Sequence, residues 1–484
     1  MLSTDSLRTL DPRYRRLRHT AFVVVLVILA AGSAITPLIA IIPIMGAGAL
    51  FIAYGEATAA EVGSFLILAV RPSLDIFSER RFGLGPFVSS PSVVLGLVIL
   101  TLAVLIALRR GSRGERLWPD SAVWKTHLCL LIAYGIAIAS GARLYGSTGI
   151  AQGIREAMRV LSVLAGFLIV WWWATISGVK YRRGWVFLAL GAVVPIVLSL
   201  WQLRSGEGFS DILGVHRIQG TFSHPNAFAQ YLVPFILVLI AAFPSRGPLE
   251  RIISGCLAVG LTALLMLSYA RTAILALVLG LITVPLLQAR RLNIAATIRT
   301  LGAATALALA VWFFAADVIR ERFSALSFGR DAIVAAQLGE SENSLGWRLI
   351  NWGVLISMGS QHALTGHGAG MTTVLNPLTN SDNGVPFNAH DDFVRFFFEA
   401  GLVGLLFFGL YTVLLCRWSI RLSRELPLQY APPALGVASA VLALTLLTGG
   451  TTELSLQTAD LYQIYGMLAL LAALPRRESE SSTG

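Results

Sequence analysis

The run Asn388–Gly404, NAHDDFVRFFFEAGLVG, carries His390, Asp391 and Asp392 directly into an apolar segment of membrane length. Asp391, Arg395 and Glu399 recur every fourth residue, so on a helix they stack along one face. Charges at the mouth of such a segment are expensive and face a protein interior or a wet cavity. Two readings follow. One is an N-capped helix with acids near its positive end and an ion-pair ladder of i,i+4 spacing. The other places His390 at the mouth of an active site.

Outward from that run, composition fixes the class. Of 484 residues, 56% are hydrophobic and 13% charged, and the mean hydropathy is +0.73. Apolar runs recur from Ala21 to Leu474, which predicts an all-α polytopic transmembrane helical bundle of about 12–14 spans. The expected organisation is a basic tail (1–20), a bundle (21–317), a large external loop containing short helices (318–392), C-terminal membrane helices (393–474) and a second tail (475–484). Spans are expected at 122–140 and 155–177, at 250–267 and 272–288, and from 393 to 416, among others. Because hydrophobicity continues to Tyr54, the run from Ala21 reads as an uncleaved span rather than a cleavable signal peptide.

The net charge of +11 would suggest nucleic acid in a soluble protein. Here the basic residues cluster in alternate short loops, among them 109–116, 180–183, 244–251, 288–291 and 417–424. That pattern orients a membrane protein, placing these loops and both termini in the cytoplasm. The opposite set (141–154, 204–224 and 318–392) is then external. The cytoplasmic loops are too short for a nucleotide-binding domain, and no GxxxxGK[ST] phosphate loop is present. Cys129, Cys256 and Cys416 fall in apolar segments and read as small buried hydrophobes, without metal spacing. His362, His367 and the Asp391-Asp392 pair make no metal site either.

Three external cations stand out. Arg217 lies just before Ser223-His224-Pro225-Asn226, where Ser223 or His224 can cap a helix with Pro225 in its first turn. An arginine there is a permanent, fork-shaped cation suited to phosphate. Arg271 sits in the expected turn between 250–267 and 272–288, where snorkelling to the interface is the plainer reading. Arg348 lies beside Trp347 on a stretch with Leu345, Leu349, Trp352 and Ile356 at helical spacing, which suggests an amphipathic helix on the membrane or over a cavity. Downstream, Gly366-His367-Gly368-Ala369-Gly370 is a Gly-rich turn whose N–H groups are candidates for touching a phosphate or sugar.

In this order, RIQGTFSHPNAFAQYL (217–232), SYARTAILAL (268–277), the loop elements within 346–371 and AHDDFVRFFFEAGLVG (389–404) resemble the O-antigen ligase and polymerase superfamily. The resemblance covers roughly residues 200–405. Ligases of that kind carry His, then Asn, Ser or Gln, nine residues, and Gly-x-x-Gly. This chain has His390, Asp391, residues 392–400 and Gly401-Leu-Val-Gly404, departing only at Asp391. The resemblance implies an undecaprenyl-diphosphate-linked glycan donor, a glycan or lipid-linked acceptor, and action at the external face of a bacterial inner membrane. It also implies no cofactor or metal, and a flippase and a chain-length regulator as partners. No nucleic acid is expected.

The chemistry of that reaction fits these residues. Breaking a C1–O bond to a lipid diphosphate leaves a multiply charged anion near the low-dielectric membrane, where fixed arginines stabilise it well. Arg217 and Arg271 are assigned that role, with Arg348 as a third. His390 is the candidate base for the acceptor hydroxyl, and Asp391 the carboxylate that orients it or raises its basicity. Arg395 and Glu399 read as structural pairing. A polytopic transporter or flippase for a lipid-linked or anionic substrate is the competing class, and a cell-wall glycan polymerase of the shape-and-division type a third.

Overall fold

A computed structural model describes residues 41–77, 82–84, 87–89, 91–176, 178–206, 209–210, 216–289, 294–307, 309, 344–379, 386–447 and 458–475. The expected span at 21–36 and the loop residues 310–343 lie outside these. The described chain is a helical bundle with two small antiparallel hairpins, β1 (Phe82–Leu84) with β2 (Phe87–Ser89) and β3 (Phe209–Ser210) with β4 (His216–Arg217). The helices are α1 (Ile41–Tyr54), α2 (Glu56–Phe65), α3 (Pro91–Ser112), α4 (Ser121–Thr175), α5 (Gly178–Ser205), α6 (Pro225–Ala242), α7 (Pro248–Leu267), α8 (Arg271–Ala289), α9 (Ile294–Leu307), α10 (Ser344–Gly359), α11 (Thr372–Leu375), α12 (Asp392–Glu425), α13 (Ala431–Leu447) and α14 (Thr458–Ala472). Among the described residues, eight of these are long and apolar enough to cross a membrane. The expected span at 62–79 is instead a broken helix, passing from α2 through a π-turn (Leu66–Val70) into a 3₁₀ segment (Arg71–Phe77).

Apolar side chains turn outward as well as inward. Trp172, Trp173, Phe167 and Tyr465 fill the core, while Val186, Leu190, Val193 and Val197 of α5 face out, as lipid-solvated residues do. Cys129 and Cys416 are buried, but Cys256 is exposed on α7, so the expectation of three buried thiols fails there. Its neighbours Ile252, Ile253, Leu257 and Val259 are exposed too, which makes that surface apolar rather than wet.

Two glycines decide the topology. At Gly146 (φ 54°, ψ −127°) α4 breaks and folds back on itself. Ile138 and Gly153 would stand about 22 Å apart on one straight helix. Yet a Cβ at Gly153 would lie 3.1 Å from Ile138, and one at Gly149 would run into the Gly141 carbonyl. The two expected spans are therefore present, but the expected loop 141–154 is helical hairpin. At Gly401 (φ 65°, ψ −166°) α12 breaks in the same way. Phe396 stacks on Phe408 at 4.0 Å, whereas twelve residues of straight helix span about 18 Å. A nine-residue arm, Asp392–Ala400, thus bends sharply off the long span behind it.

Ion pairs mark one end of the bundle. Glu56 meets Arg110 and Arg113 at 3.2 and 3.1 Å, and Glu61 meets Arg183 and Lys180 at 3.2 and 3.7 Å. The loops 109–116 and 180–183 therefore share an end, as their charge predicts. Tyr181 packs on Tyr430 just before α13, and Gly436 lies against Val238 near the end of α6. So α6 finishes at the basic end and begins at the far one, where the tip of the α4 hairpin also lies.

Candidate functional site

Residues 217–226 are pinned before α6 begins. The Gln202 side chain accepts from the N–H groups of Gln219 and Gly220 at 3.0 and 2.9 Å and donates to the Gly220 carbonyl at 3.1 Å. Thr221 donates to the Pro72 carbonyl at 2.7 Å. His224 is the N-cap, its Nδ1 accepting from the Asn226 N–H at 3.0 Å, with Pro225 in the first turn. Arg217 is buried, donating from Nε to the Ser268 carbonyl at 2.8 Å and from Nη2 to Asn226 at 3.0 Å. Ser268 opens the turn Ser268–Ala270 between α7 and α8, and Arg271 is the first residue of α8. The two arginines expected to share a ligand are therefore brought to one turn.

His390 and Arg348 form the second pair. The three carbonyls that precede His390 are each held by a side chain. Asn376 donates to Phe387 at 2.9 Å, Asn351 to Asn388 at 2.8 Å and Trp352 to Ala389 at 2.8 Å. Asn376 also bonds Asn351 at 2.8 Å. So over-determined, His390 takes a left-handed φ of 54°, a conformation of appreciable cost for a non-glycine residue. Its ring packs edge-on to Trp347 at 5.5 Å. Burial pushes its pKa down to about 4, and the nearby Arg348 guanidinium adds to that fall.

Asp391 turns to the arm, its Oδ1 accepting from the Val394 N–H at 2.8 Å as the N-cap. Burial raises its carboxyl to about 6, against the pull of the N–H groups of Val394 and Phe393. That oxygen is occupied by the cap, while the backbone before His390 is held by Asn376, Asn351 and Trp352. Asp392 is buried at the edge of an apolar cavity of about 50 Å³ lined by Tyr134, Phe408 and Tyr411, too small for a sugar or an isoprenoid chain.

The Gly-rich turn corrects its expected role. His367 and Gly368 N–H donate to the Phe398 and Glu399 carbonyls, both at 2.8 Å, and Ala369 N–H donates to Ala137 at 3.3 Å. In return Ala363 and Leu364 carbonyls accept from Leu402 and Val403 at 2.7 and 3.3 Å. The N–H groups of His367 and Gly368 are spent closing the break at Gly401 and that of Ala369 on α4, so these three are not offered to a phosphate. His367 is equally occupied. Met358 O takes its Nε2 proton at 2.9 Å, so Nδ1 accepts from Tyr145 OH at 2.6 Å. Burial also lowers its pKa.

The expected amphipathic stretch is α10, and its two sides differ in burial. Leu349 and Ile356 are exposed, while Asn351 and Leu355 are buried against the arm. Asn351, Asn376 and Trp352 escaped sequence reasoning as positioning residues. The only local signal is a polar Asn351 between apolar neighbours in LINW. Among the described residues, no three His, Cys, Asp or Glu side chains gather as metal ligands.

The fold and these paired patches define a polytopic membrane protein whose polar chemistry collects at one end. Residues 256–409 match the family model described as O-antigen ligase. That stretch, about a third of the chain, holds Arg271, Arg348, His390 and both walls of the Gly401 break, and over it the chain is similar to the O-antigen ligase family. Comparison with curated proteins gave no match.

Proposed function

We propose that the protein is a membrane glycosyltransferase that moves a glycan from an undecaprenyl diphosphate carrier to an acceptor hydroxyl on the external face of a bacterial inner membrane. The observation that carries this reading is backbone strain. Among the described residues, the non-glycine residues with positive φ are Tyr269 (55°), two before Arg271, and His390 (54°). Such residues cluster where a site over-determines its geometry. Here they mark the two patches that the sequence nominates for opposite halves of one reaction.

The acceptor oxygen attacks C1 of the donor sugar as the C1–O bond to the diphosphate breaks. Undecaprenyl diphosphate leaves with the bonding pair, its charge met by Arg217 and Arg271, with Arg348 beside the base. His390, held neutral, takes the acceptor proton. An imidazole at about 4 is a weak base; burial is the larger cause of that fall and the Arg348 cation the smaller. Docking an anionic diphosphate against Arg348 offsets that cation and raises the imidazole when it is needed. Attack opposite the leaving group inverts the anomeric centre. Neither ATP nor a metal has a role in this scheme.

The test uses purified full-length protein in vesicles with undecaprenyl-diphosphate oligosaccharide and EDTA, without ATP, with donor alone or donor plus a candidate acceptor, read by mass spectrometry. A ladder of lengthened donor is polymerase activity, and a single acceptor–glycan adduct is ligase activity. Movement of labelled donor across the bilayer without covalent product would replace this reading with transport.

A further inference from the structure

The arm Asp392–Ala400 carries a buried charge network that the proposed chemistry does not use. Arg395, only 2% exposed, donates from Nη2 to Glu156 at 2.8 Å and lies 3.3 Å from Glu399 through Nε. Thr372 donates to the same Glu399 oxygen at 2.8 Å. Arg159, one turn along α4 from Glu156, donates to both of its oxygens at 3.0 and 3.1 Å. Two cations and two carboxylates so tie the second half of the α4 hairpin, α11 and the arm.

Three of these charges, Glu156, Arg395 and Glu399, are buried and Arg159 is half-buried. Burying charge seldom adds stability over well-packed apolar side chains, and its best-attested use is to fix register. The arm needs such fixing. Nine residues are too few for a helix to stand alone in water, and the break at Gly401 uncouples its direction from the span behind. His390 is eleven residues from Gly401, so a swing of about 10° there moves the imidazole by about 3 Å at 1.5 Å rise per residue. In a preorganised site about 1 Å of misplacement already costs on the order of a hundredfold in rate. Arg395 sits midway along this lever, facing a hairpin that belongs to the bundle itself.

We propose that Glu156 is a positioning residue: by holding Arg395 from the α4 hairpin, it sets the angle of the arm at Gly401 and hence the place of His390. The assignment rests on His390 as the base, but its geometric half stands apart from catalysis and is tested separately. In full-length protein, Glu156→Gln keeps the side-chain shape and removes the charge. By hydrogen exchange and mass spectrometry, amides of 392–400 are expected to exchange at least about tenfold faster while those of 402–416 hold their rates. In the transfer assay kcat falls about tenfold or more with the donor KM within about twofold, because alignment rather than binding is lost. Wild-type exchange in 392–400, or a raised KM with unchanged kcat, overturns the proposal. Absence of transfer by the wild-type protein overturns the functional reading instead, and the exchange result still decides the lever. Should Glu156→Gln fail to fold, Glu156→Asp retains the charge and shortens the reach by one methylene. A partial acceleration in 392–400 is then expected, and wild-type exchange overturns the proposal.

Discussion

An unperturbed imidazole is largely protonated below pH 6.5, whereas burial and Arg348 hold His390 down at about 4. If the neutral ring is the base, kcat/KM stays level on the acid side well below pH 6.5. Removing the cation in Arg348→Ala lets the ring protonate more easily, so the acid limb should move to higher pH. A limb unmoved by Arg348→Ala would detach His390 from the chemistry. For stability the two neighbours act in opposite senses. A lowered His390 contributes fully above about 6.5 and loses stability as pH falls towards 4. A raised Asp391 contributes fully below 3.8 and loses it as pH rises through about 6. Asp391 also explains its own departure from the family pattern, since a helix N-cap accepts Asp as readily as Asn or Ser. Asp391→Asn should therefore keep transfer, while Asp391→Ala costs about 1 kcal/mol of stability from the lost cap. Transfer abolished by Asn would give the carboxylate a role beyond capping. His390 and Asp391 were legible because cap and motif are local in sequence. Asn351, Asn376 and Glu156 were not, because each reaches its partner across tens to hundreds of residues.

Among the described residues most helices were legible as apolar runs of span length, the broken segment at 62–77 excepted, and the chain was illegible where a single glycine reverses it. GARLYGSTGIAQG (141–153) reads as a polar loop by composition, yet it is helical on both sides of Gly146, because small residues let the two limbs meet. The same physics makes the break at Gly401 a structural commitment. A Cβ there would strike the Leu364 carbonyl and force a left-handed φ on an L-residue. Gly401→Ala should lose at least about 1–2 kcal/mol, seen as a lower melting temperature in detergent, together with reduced transfer. Wild-type melting and activity would mean the arm and span can join without the break. The Gly-rich turn is tied to the same break, since its His367 and Gly368 N–H groups are consumed by the Phe398 and Glu399 carbonyls.

At the scale of the whole molecule, two basic loops share one end of the bundle and the proposed site lies at the other. The ion pairs of Glu56 and Glu61 gather two of the basic loops, and both candidate patches lie away from them. With the three native cysteines replaced, a membrane-impermeant maleimide should label Ser147→Cys at the hairpin tip in intact cells. Arg182→Cys should be labelled only after permeabilisation. Reversed labelling would put the site in the cytoplasm and remove the external donor. One covalent transfer performed by the two patches together is the central proposal. The measurement that addresses it is product formation from undecaprenyl-diphosphate oligosaccharide by purified wild-type protein, with His390→Ala and Arg271→Ala in matched vesicles. A glycan product with inverted anomeric configuration from the wild type, and none from either folded variant, is the predicted result. Equal product from either variant, or lipid movement without any product, would contradict it.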